Sequence, residues 1–188
     1  MRRRAALAVA IVVLLAGCGL SEDGAPRRIA AEAVPSDLLA PATSTTTTTP
    51  SSPTAEITLH FVRGERLYPL VVELETPLTP SRVLSAVLNG PPSTAPDDVS
   101  STAPPGLRLL DAEPPRDGLL TVGLSAEVDN IASAAQKTLF AQLTCTATRL
   151  EGVNLVRFRV TDEIRRVSID GDTAEVVNCS DYLSLRQP

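Results

Sequence analysis

Tryptophan is absent, and aromatic residues make up only 3% of this 188-residue chain. Sugar-binding grooves stack rings on aromatic faces, so a glycan site is disfavoured. Histidine occurs once, as His60, in a stretch that reads as a strand; a structural side chain is favoured there over a general base. No Gly-x-Ser-x-Gly elbow, Gly-rich phosphate loop or His-Glu-x-x-His helix is present. A serine triad built on His60 would need partners that nothing identifies. The three cysteines form no Cys-x-x-Cys pair and no Cys/His cluster, which removes the usual zinc and dithiol-redox frameworks. Asp170-Gly171-Asp172 offers too few oxygens for calcium, which takes six or more, and reads as a turn. Glu73 and Glu75, two apart near a strand end, read as a solvated edge rather than an acid–base pair. The chain is therefore expected to be non-enzymatic, with no cofactor and no metal.

Cations are also scarce. The net charge is −5, and without the three arginines Arg2, Arg3 and Arg4, which stand in a leader free of acids, it falls to −8. An acidic body argues against nucleic acid as a partner and against a polybasic membrane-binding surface.

Those three arginines open a targeting signal. They precede an apolar run, Ala5 to Ala16, of about 12 residues, a secretory h-region too short to span a bilayer. Leu15-Ala16-Gly17-Cys18 resembles a bacterial lipobox, in which cleavage before the cysteine frees Cys18 for lipidation. Residues 1–17 are expected to be a signal peptide and Cys18 the lipid-accepting residue. The protein would then be extracytoplasmic and held to the cell membrane by its acyl chains. Residues 18–55 read as a disordered Pro/Ser/Thr-rich tether. As a flexible coil it spans roughly 35 Å, and as polyproline II about 110 Å. The two remaining cysteines, Cys145 and Cys179, are an even pair in an oxidising compartment and are expected to form a disulfide.

Residues 56–188 are the size of one ordinary domain. Ile57–Val62 and Leu67–Leu74 alternate like strands, and Pro69 in the second indicates an edge. Thr79 with Pro80 caps a helix that Asn89-Gly90 ends. Strands are expected over Leu107–Ala112 and Leu119–Ser125, then a long helix capped by Asp129 or Asn130 and running to about Leu150, then strands at Val153–Val160 and Ala174–Val177. This order implies an α+β fold, a mostly antiparallel sheet with two helices packed on one face. Leu155, Arg157 and Arg159 share a strand face, and the two arginines are the candidate contact surface.

Several stretches together resemble the GerMN domain: Leu59-His60-Phe61, Leu88-Asn89-Gly90-Pro91, Ala103 to Leu110, Leu120 to Ser125, Leu143-Thr144, and Leu150 to Phe158. They cover nearly the whole domain in order. Two departures stand out: His60 where the family often has Tyr, and Thr161-Asp162-Glu163-Ile164 where it usually has a Gly-centred turn. The resemblance, of the kind common in actinobacterial lipoproteins, implies a ring-building-like α+β domain with no known catalysis and an envelope or sporulation context. On that basis the expected role is an interaction or scaffold module that docks an envelope protein or self-associates. The alternative is a ligand-sensing accessory domain for a sensor or transporter.

Overall fold

The computed structural model describes residues 52–186. The expected signal peptide, Cys18 and nearly all of the expected tether lie outside the described residues. Among those described, no helix is long and apolar enough to cross a membrane.

Two long strands come first, β1 (Thr54–Arg63) and β2 (Arg66–Glu75), paired antiparallel from Thr54↔Glu75 to Arg63↔Arg66. Gly64, at φ 62°, makes the two-residue turn possible. Alternation buries Ile57, Leu59 and Phe61 in the core. β1 lies between β2 and a short β3 (Val99–Ser100), so β2 is an edge strand. Pro69, which cannot donate to a ladder, sits opposite His60. The His60 amide points the other way, so this is a non-hydrogen-bonded pair and the missing N–H costs no ladder bond.

Helix α1 (Pro80–Leu88) begins where the sequence places it: Thr79 accepts a hydrogen bond from the Arg82 N–H at 3.3 Å, and Pro80 follows. It buries Val83, Leu84 and Val87. The long helix α2 (Ser133–Ala147) starts later than expected. Ala126–Asn130 form a 3-10 turn instead, and the Asp129 carboxylate binds Arg165 at 2.5 Å rather than capping a helix.

A second sheet holds β4 (Leu109–Ala112), β5 (Leu119–Leu124), β6 (Leu155–Val160) and β10 (Val176–Val177), in the order β10-β6-β5-β4, with β7 (Glu163–Arg165) also paired to β6. β8 (Val167–Ser168) and β9 (Thr173–Ala174) make a separate two-stranded ribbon. The α+β class holds, but the strands sort into three sheets rather than one. β5 and β6 run parallel, from Leu119↔Leu155 to Leu124↔Val160. α2 lies between them in sequence, and a parallel pair needs such a crossover.

α2 contacts strands of all three sheets, and residues 139–147 are buried on every side of the helix. Phe140 stacks on Phe158 of β6, ring centroids 4.8 Å apart. Cys145 of α2 is joined by a disulfide to Cys179. Cys179 opens a 3-10 segment (Cys179–Leu185) capped reciprocally by Asn178 and Asp181, with Tyr182 fully buried. Arg186 then pairs with Leu67 beside β2.

Candidate functional site

The fold presents a polar interior and a half-exposed sheet face. In the interior, β3 pairs with β1 only at Val62 and Arg63. Beyond that point side chains of α2 bond the inner edge of β1 at His60. The His60 N–H donates to Thr146 Oγ1 at 2.8 Å, and Gln142 Nε2 donates to the His60 carbonyl at 3.3 Å. Gln142 Oε1 accepts the Thr102 N–H at 3.0 Å. Gln142 and Thr146, both wholly buried, thus take the place of a strand, because buried backbone groups require partners.

His60 itself is 6% exposed, and its Nδ1 has no partner. Burial, then the charges of Arg149 and Arg186, lower its pKa to about 4. The ring makes no hydrogen bond to a described side chain.

The other sequence candidates fall into structural roles. Asp170 accepts from Lys137 Nζ at 2.7 Å and from the Ser184 N–H at 2.7 Å, and these bonds hold its pKa at about 2. Asp172 accepts the Thr173 N–H in the same turn. Glu73 stands directly opposite Glu56 on β1. Among the described residues, no group of three or more His, Cys, Asp or Glu converges as metal ligands. A concavity of about 500 Å³ lies between Arg66, Thr102, Lys137 and Ser184. Several of its polar groups are bonded internally, Arg66 to the Arg186 carbonyl, Thr102 to Gln142, and Lys137 and Ser184 to Asp170, whereas Glu65, which also lines it, makes no side-chain bond among the described residues.

The outer face of the β4–β5–β6 sheet differs. On β6, Val156, Phe158 and Val160 point into the core, leaving Leu155, Arg157 and Arg159 on the outside. Asp111, Gly123 and Arg159 form one row across β4, β5 and β6. Arg159 Nη2 donates to both carboxylate oxygens of Asp111 at 3.0 Å, spanning the central strand. Glycine makes this possible, because a Cβ at Gly123 would stand 2.5 Å from Asp111 Oδ2. Arg157 lies one row along, beside Thr121 and Val176. It makes no hydrogen bond or ion pair among the described residues, and its Nε is sealed from solvent without a partner. On the same face Leu155 is 38% and Ile164 55% exposed; Ile164 is the cross-strand neighbour of Arg159. Asp111 and Gly123 were not singled out from sequence, although an isolated glycine inside a strand pattern signals such a close approach.

The fold and this site define a small α+β module built around one helix that buries Gln142, Thr144 and Thr146. The chain belongs to the Germane family (Sporulation and spore germination), whose model matches residues 51–165. Its fold is similar to the tandem GerMN domains of the sporulation protein GerM from Bacillus subtilis, at 16% identity and a TM-score of 0.53 over 68% of this chain and 47% of that one. The first GerMN domain of the same protein matches at 20% identity and a TM-score of 0.48, over 60% of this chain and 86% of that one. No curated protein sequence matches the chain.

Proposed function

We propose that this sporulation- and germination-type domain is a non-catalytic docking module. In this reading it is held to the outer face of the cytoplasmic membrane through a lipid on Cys18 and acts in envelope assembly. Its contact surface is the outer sheet face around Arg157 and Arg159. One observation carries the reading: two large aliphatic side chains, Leu155 and Ile164, stay 38% and 55% exposed on the sheet face that holds the two arginines. Clustered exposed apolar side chains framed by polar residues mark interaction surfaces. The concavity beside Lys137 has most of its polar groups engaged in internal bonds, which favours docking over ligand sensing.

The test is in-cell photocrosslinking of the full-length protein. A photoreactive residue at Leu155 should yield a discrete protein adduct. The same residue at Val71, 61% exposed on β2, should not. Equal yields from both positions would remove this face as the contact surface.

A further inference from the structure

Resting on that docking reading, we propose that the outer sheet face receives a partner protein segment that presents an Asp or Glu side chain between aliphatic side chains, with the carboxylate on Arg157.

The two arginines of β6 are chemically unequal. Arg159 has its carboxylate, delivered by Asp111 across the gap left at Gly123. In the Arg157 row, β5 supplies Thr121, β10 supplies Val176, and the residue after β4 supplies the exposed Glu113, opposite Thr121, which forms no ion pair with Arg157 among the described residues. Among the described residues Arg157 therefore has no carboxylate within 4.0 Å, and its Nε, like that of Arg159, is sealed from solvent without a partner. A buried donor without an acceptor is costly, and that desolvation is incurred before any partner arrives. A carboxylate brought from outside cannot reach the sealed Nε; it would meet the guanidinium at its Nη groups, which are not sealed, in a charge-assisted pair.

The surroundings set the rest of the partner's chemistry. Leu155 precedes Arg157 by two residues on the same face, and Ile164 lies across from Arg159. An acid flanked by aliphatic residues matches this spacing of apolar, cationic and apolar groups. The Asp111–Arg159 pair is internally neutralised, so Asp111 does not repel the incoming acid. A second copy of this chain fits poorly. A two-fold arrangement centred on this face would set one Arg157 toward the other.

The experiment uses the full-length protein in its host, with a photocrosslinking residue at Ile164 and sequencing of the captured peptide. The expected peptide contains Asp or Glu within an aliphatic stretch. Arg157→Glu should lower the adduct about tenfold or more, and changing the captured acid to Arg should restore it. Arg157→Gln, checked to unfold at the parental temperature, should show the same loss, so that misfolding is not the cause. An adduct insensitive to both substitutions overturns the acid assignment while leaving the face as a docking surface. A captured peptide from a second copy of this chain also overturns it. Absence of any adduct from Ile164 and from Leu155 overturns the docking reading itself.

Discussion

The backbone amide of His60 donates to the hydroxyl of Thr146, 86 residues later in the chain. A helix side chain thereby does the work of a β-strand. Thr146→Val keeps shape but removes the acceptor and leaves a buried N–H unpaired. It should cost about 1–3 kcal/mol and raise amide hydrogen exchange at His60 well above that at Leu59. An unchanged denaturation midpoint with unchanged exchange would show that the bond contributes nothing.

Gly123 is a slot for the Asp111–Arg159 pair. Gly123→Ala should therefore destabilise by about 1–3 kcal/mol through overpacking. The paired experiment is a double-mutant cycle with Asp111→Ala, which removes the obstructing carboxylate. The double variant should be more stable than the sum of the two single losses predicts. Strict additivity would mean that the added methyl group clashes with something else.

Acid should weaken the fold through His60. Unfolded, this imidazole titrates near 6.5; folded, at about 4. The native state therefore binds fewer protons than the unfolded state between those values. Stability is whole above about pH 6.5 and falls as the pH drops toward 4, by about 3 kcal/mol. Asp170, held at about 2 from 3.8, loses its share in a separate, lower window. Urea midpoints of His60→Gln should flatten between pH 6.5 and 4 and still decline below 4. An unflattened profile would reassign the upper window to another group.

The Cys145–Cys179 bond closes a 34-residue separation. The chain-entropy relation gives it about 3–4 kcal/mol. Cys145→Ala with Cys179→Ala should lose that amount in denaturant titrations, and hydrogen exchange should quicken first across residues 179–186. Free thiols at both positions in protein exported by its host would contradict the pairing.

The β6–β7 hairpin turns through Thr161 at φ 47° and Asp162 at φ 72°. Left-handed backbone is costly for a β-branched residue, and Asn-Gly is the preferred pair for such two-residue turns. Thr161→Asn with Asp162→Gly should therefore raise stability by about 1 kcal/mol. A lower melting temperature would show that the side chains of Thr161 and Asp162 hold the hairpin by contacts of their own.

The legible parts of the fold were those written locally. Alternation marked β1 and β2, Pro69 marked the edge, and the Thr79-Pro80 cap marked α1. α2 was mis-started because Asp129 looks like a cap, yet its carboxylate serves Arg165. The polarity of α2 was also opaque. Gln142 and Thr146 interrupt an apolar stripe on paper, and only the partial β3 pairing explains why they are buried. The parallel β5–β6 register, the short strands β3, β8 and β9, and the Asp111–Arg159 row depend on strands brought together from far apart, which no local pattern encodes.

That same dependence on distance sets an order of events. Synthesis proceeds from the N-terminus at about 5–20 residues per second, so Thr146 emerges roughly 4–17 s after His60. Through that interval any β1–β2 hairpin that formed would have its inner edge unclosed, a template for mispairing with any neighbouring extended chain. For a protein of this design, whatever keeps the nascent chain apart from others has to act longest on its first twenty folded residues.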